Sequence, residues 1–251
     1  MPRDFCSRFV AMNGSAVEAG SDSGLPHWGY GSHDGPPVWG ELSSEYALCA
    51  VGSRQSPIDI VGATQADVPH VAFHYQPMKF EVRHNGHTVE VASTSENWIE
   101  VGGARYDLTQ FHFHTPGEHT VEGRSFGMEV HLVHRNEEGT LAVVGIFVRR
   151  GGAHPVLDDL AEQLPEPGES LATEKKIAVS ELLPEASRIF RYEGSLTTPP
   201  CSEGVQWLVF ETPIEVSAAA LAAFEAILGN NSRPVQPLNG RQLLIDKDSP
   251  L

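Results

Sequence analysis

Three histidines carry the most chemistry in this chain. Gln-Phe-His-Phe-His spans 110–114 and Glu-Val-His spans 129–131. On a β-strand successive side chains face opposite sides, so His112 and His114 share a face. A partner strand can set His131 beside them. Three imidazoles meeting at one point make a zinc site whose fourth position is open, the arrangement of catalytic zinc. An H-x-H pair alone is more often two ordinary surface or core histidines. Here the flanks favour a metal. Phe111 and Phe113 take the opposite face and anchor it in apolar core, and Met128–His134 repeats the alternation with Glu129, His131 and Val133 on one side. Zinc-bound histidine donates its other N–H to an acceptor that fixes tautomer and orientation. Gln110 and Glu129 stand where such acceptors belong.

The elements that must position these side chains are short alternating runs: Lys79–Arg83, His87–Ala92, Trp98–Val101, Arg105–His114, Phe126–His134, Thr140–Val148 and Val205–Thr212. Breaks such as Asn85-Gly86, Gly102-Gly103 and Glu138-Gly139 separate them. Many short strands at this spacing predict a large, mainly antiparallel sheet. Helices are few. Glu41–Leu48 reads as a short one, Pro155–Gln163 as another. Ser217–Leu228 is capped by Ser217, carries Leu221, Phe224, Ile227 and Leu228 on one face, and stops at Gly229. Pro165–Ser170 is a polar loop. The expected fold is α+β, mostly β, with one domain over 25–251 around a twisted central sheet and short peripheral helices.

Bulk properties bound the function. The 251 residues suffice for one large domain. No run approaches the ~18 apolar residues of a membrane span. The net charge of −16 argues against nucleic acid or an anionic membrane as partner. Four of the 17 basic residues are lysine, so the acidic surface admits two readings, adaptation to high salt or ordinary acidic solubility. Of the cysteines Cys6, Cys49 and Cys201, at least one is unpaired within the chain; their count leaves the pairing open. Residues 1–24 lack the apolar core of a secretory signal and read as a disordered lead, a processed remnant or an expression leftover.

From about His27 to Leu244 the chain resembles the α-class carbonic anhydrases of bacterial type. The resemblance rests on His27-Trp28-Gly29-Tyr30-Gly31, Gln55-Ser56-Pro57-Ile58-Asp59-Ile60, Asn85-Gly86-His87, Gln110 to His114, Glu118-His119-Thr120-Val121, Glu129 to His134, and Gly194-Ser195-Leu196-Thr197-Thr198-Pro199-Pro200. Their order and joint presence carry the match; no single motif does. It implies Zn2+ on His112, His114 and His131, and reversible hydration of carbon dioxide to bicarbonate and a proton by a zinc-bound hydroxide. Side esterase activity is plausible for the same nucleophile. Thr197 would orient the hydroxide and pass its own proton to Glu118; a hydroxyl suits that place because it both donates and accepts. Val133, Val143, Leu196, Thr198, Val205 and Trp207 would form the pocket, most of them residues that otherwise read as plain core. An apolar wall beside the nucleophile suits a small uncharged substrate.

The resemblance also makes His87 the proton shuttle, a task for a side chain whose unperturbed pKa is near 6.5; without the match it reads as a solvated turn histidine. Tyr30, Asn85 and Glu90 would border its water path. Glu90 departs from the neutral residue often found there, and an extra carboxylate is expected to raise the His87 pKa. Members of bacterial type pair cysteines at the places of Cys49 and Cys201, which implies a disulfide and with it an oxidising compartment, periplasm or exterior. Homodimers are common among such relatives. Two other classes compete. A non-catalytic binding module on this fold typically lacks a metal ligand, and all three are present. A zinc peptidase wants H-E-x-x-H on a helix, and Glu118-His119 lacks the second histidine.

Overall fold

The computed structural model describes residues 26–185 and 188–247. Cys6 and the expected lead over 1–24 lie outside them. One sheet of 13 strands organises the molecule. Its main path runs Ser170–Ile177, Met78–His84, Val89–Ala92, Ala104–His114, Met128–Arg135, Leu141–Arg150, Glu203–Phe210, Ile189–Ser195, Leu244–Asp246 and Thr64–Ala66. Antiparallel pairs dominate, but Leu141–Arg150 runs parallel to Glu203–Phe210 and to Ile214–Val216, so the sheet is mixed.

The strands form where the pattern demands them. Met-Lys-Phe-Glu-Val-Arg-His over 78–84 alternates strictly between buried and exposed, the signature of a strand with one wet face. Leu141–Arg150 sits mid-sheet and is buried from Ala142 to Val148, and its sequence is accordingly a continuous apolar run. Two cores result. Val91, Phe111, Phe113, Leu132 and Val144 pack on one side, with Leu221 and Phe224 of the helix Ala218–Leu228. Val143, Phe147, Val205, Trp207 and Tyr192 pack on the other, joined by the partly buried Val133 and Leu196.

The helix after Ser217 forms as its capping residues require. Ser217 Oγ accepts from the Ala220 amide at 3.1 Å, and Gly229 closes the helix at φ 59°. Glu41–Leu48 is not one helix. Ser43 Oγ takes the Glu45 amide and starts a 3-10 turn over Ser44–Tyr46, flanked by four-residue helices at Trp39–Leu42 and Leu48–Val51. Pro155–Gln163 is helical only over Leu157–Ala161, the turn entered through an Asp158 carboxylate that accepts from the His154 amide. Strand ends shift too. The strand expected from His87 starts at Val89, so His87 lies in the turn; the one expected from Phe126 starts at Met128.

Candidate active site

Register brings the three histidines together. His112 and His131 are direct partners on adjacent antiparallel strands, and His114 lies two residues on, opposite Glu129. Their ring centroids are 4.6–5.3 Å apart, and one nitrogen from each lies within 4.8 Å of the others. Each ring has its other nitrogen engaged. His112 Nδ1 meets Gln110 Oε1 at 2.8 Å, His114 Nδ1 meets the Asn231 carbonyl at 2.8 Å, and His131 Nε2 meets Glu129 Oε1 at 2.8 Å. All three partners are acceptors, so these nitrogens carry the protons and the remaining three are lone pairs. His114 Nε2 is buried with no hydrogen-bond partner. A buried lone pair without a partner is costly, and a cation is what satisfies it. The donor set, three neutral imidazoles each oriented by an acceptor, fits zinc.

Burial enforces the neutral form. It lowers the pKa of His112 strongly, that of His114 to about 4, and that of His131 against an opposing pull from Glu129. Burial alone would raise Glu129; the electrostatic pull and hydrogen bonds of the His119 and His131 ring N–H groups outweigh it and hold this carboxyl well below its usual range. Glu129 also accepts from the Glu118 and His119 amides at 2.8 Å and meets His119 Nδ1 at 2.7 Å. The second ring nitrogen of His119 takes Tyr192 Oη at 2.6 Å, which in turn meets Ser56 Oγ at 2.8 Å. With both nitrogens committed, His119 supports the site and is not a further ligand.

Glu118 lies 3.5 Å from His114 Nδ1 and 3.9 Å from His131 Nδ1. Its Oε1 accepts from the Arg233 amide at 2.8 Å, and its Oε2 is buried without a partner. Burial pushes its pKa up to about 7 against the opposing pull of His131, the Arg233 amide and, least, the Thr197 side chain. A cavity of ≈ 130 Å³ is lined by His112, His114 and Thr198 together with Gln110, Glu90, Tyr30, Asn85 and His87. His87 stacks on Trp28, ring centroids 3.7 Å apart and 6° from parallel, with the exposed His27 ring at 5.9 Å. Cys49 and Cys201 form a disulfide with Cα atoms 5.1 Å apart.

A family model for eukaryotic-type carbonic anhydrase matches residues 34–247. The chain belongs to that family. A carbonic anhydrase of a Nostoc strain is 41% identical over 240 residues, covering 92% of this chain and 90% of the relative. The α-carbonic anhydrase of Thermovibrio ammonificans, solved with the inhibitor sulfanilamide, superposes with a TM-score of 0.84 at 43% identity over 87% of this chain and 98% of that one. A hyperthermostable carbonic anhydrase from a hydrothermal vent chimney gives 0.86 at 40% identity, over 88% and 100%. The chain is thus an enzyme of carbonic anhydrase type, with carbon dioxide and water as the family's substrates.

Of the residues named from sequence, Tyr30, His87, Gln110, His112, His114 and Thr198 line one cavity. Val143, Val205 and Trp207 are buried in the core on the histidine side, with Leu196 and Val133 at its margin. One expectation is corrected. The His87 pKa is lowered, not raised: burial, His27 and His84 push it down, only Asp34 pulls it up, and Glu90 is not among the charges acting on it. Sequence pattern does not mark Asn231, Arg233, His119, Tyr192 or Ser56 as supports, although His119 and Ser56 lie inside the Glu118–Val121 and Gln55–Ile60 motifs. Asn231 acts through its carbonyl, which side-chain chemistry does not announce.

Proposed function

We propose that the chain hydrates carbon dioxide reversibly to bicarbonate and a proton at a zinc ion held by His112 Nε2, His114 Nε2 and His131 Nδ1. The observation that carries this reading is the set of three unprotonated ring nitrogens, each with its opposite nitrogen engaged by an acceptor. Zinc on three histidines in carbonic anhydrases is the established case in which a bound water reaches a pKa of about 7, so a nucleophile exists at neutral pH. The chain supplies the rest. Thr197, whose side chain acts on Glu118, offers a hydroxyl that accepts beside the open position and donates to that carboxylate, whose buried Oε2 is otherwise unpaired. Val143, Val205, Trp207, Leu196 and Val133 give carbon dioxide a dry wall that needs no charge. His87, at the cavity mouth, takes the released proton to solvent along a path bordered by Tyr30, Asn85 and Thr198. The disulfide supports an oxidising compartment, periplasm or exterior. Ester hydrolysis is a side reaction open to the same nucleophile.

The test is His131→Ala. Zinc content and carbon dioxide hydration fall together while circular dichroism stays native. A metal-free variant that still hydrates carbon dioxide would overturn the reading.

A further inference from the structure

The register row that carries two of the histidines continues outward into a carboxylate. Arg83, Glu90, His112 and His131 are successive cross-strand partners on four adjacent strands. Partners in register present their side chains to one face. Glu90 therefore stands beside His112, on the wall of the cavity that also holds His114, Thr198 and His87. It is half-buried, and among the described residues its carboxylate has no hydrogen bond and no ion pair. Arg83 is exposed and forms no ion pair with it. Arg83 acts on it only as a nearby charge, which opposes the rise that burial gives its pKa, and a half-buried carboxylate on this wall sets a negative potential in the space a ligand must cross.

Resting on the zinc hydratase reading, the geometry points to Glu90 as a specificity-determining residue that disfavours anions at the open metal position relative to neutral carbon dioxide. The substrate is uncharged and passes without an electrostatic cost. Bicarbonate and small inhibitory anions carry one negative charge toward another across a cavity of low local dielectric. The effect falls on product retention and anion inhibition, leaving substrate entry alone. It also differs from shuttle tuning, since Glu90 is not among the charges acting on His87.

The experiment is calorimetric titration of the zinc-loaded protein at pH 8.5 and low salt, where a carboxylate is ionised. Thiocyanate serves as the anionic probe and 1,2,4-triazole as the neutral one. Glu90→Gln keeps the side chain's shape and is expected to bind thiocyanate about five- to tenfold tighter, with triazole within about twofold of the wild type. Arg83→Gln, at an exposed position, is expected to weaken thiocyanate by about twofold. Unchanged thiocyanate affinity in Glu90→Gln overturns the inference, as does an equal shift for both probes, which would be an effect of shape. A protein that takes up no zinc overturns the proposed function, and this inference falls with it. One that binds zinc and hydrates carbon dioxide, but is indifferent to Glu90→Gln, overturns this inference alone.

Discussion

His131 turns Nδ1 into the site because its Nε2 is committed to Glu129, and Glu129 is fixed in turn by two backbone amides and His119. The same logic sets His112 through Gln110. Those two acceptors were legible from sequence, since each lies two residues from its histidine on the same strand face. The acceptor for His114 was not, because a carbonyl 117 positions away leaves no trace in side-chain chemistry. His87 tests the residue scale. In His87→Ala, turnover in dilute buffer is expected to drop on the order of 10²-fold and to recover with added imidazole. Burial, His27 and His84 depress its pKa, so the ring stays neutral, and able to accept a proton, to below pH 6.5. The low-pH limb of kcat in the wild type should then have its midpoint below 6.5. A midpoint above 6.5 would mean that Glu90 or the metal governs His87 after all.

At the scale of elements, the site is a property of register. A one-residue slip of either histidine strand would turn its ligands into the opposite core, where Phe111, Phe113 and Leu132 now pack. Strict alternation made these central strands readable. Short pieces such as the edge strand Thr64–Ala66 and its neighbour Leu244–Asp246, three residues each, are too short to show a period. Their pairing is parallel and follows from neighbours distant in sequence. The Glu41–Leu48 segment failed because a single hydroxyl cap broke it into turns. The loop bearing Thr197 and Thr198 is tied to the N-terminal region by the disulfide, and the Cys201 amide donates to the Thr198 carbonyl at 2.8 Å. The bridge spans 152 positions. In the chain-entropy model, closing so long a loop stabilises by on the order of 5 kcal/mol. Cys201→Ser is expected to lower the unfolding free energy extrapolated from urea by an amount approaching that value, and the urea midpoint falls with it. A midpoint that does not move would show that the bridge constrains nothing the fold needs.

At the scale of the molecule, the sheet keeps a further buried histidine far from solvent and outside the metal set. His134 meets Tyr75 Oη at 2.8 Å through Nε2 and the Ala142 carbonyl at 3.3 Å through Nδ1. Burial lowers its pKa to about 4. The unfolded chain binds this proton near pH 6.5 and the folded one only near 4. The stability tied to neutral His134 is therefore fully present above pH 6.5 and lost as pH falls toward 4, roughly 3 kcal/mol in total. Urea midpoints measured from pH 7 to 4.5 should decline, and decline less steeply in His134→Gln; parallel slopes would contradict this. The family and the central site could be read from separated motifs, but the cavity joining histidines to solvent exists only in the folded sheet. The most direct test of the whole account is the rate of acidification on mixing with dissolved carbon dioxide, followed with a pH indicator. The zinc-loaded protein should acidify the solution far faster than buffer, fall to the buffer rate after zinc is chelated, and recover when zinc is restored. Rapid acidification that survives complete removal of the metal would contradict it.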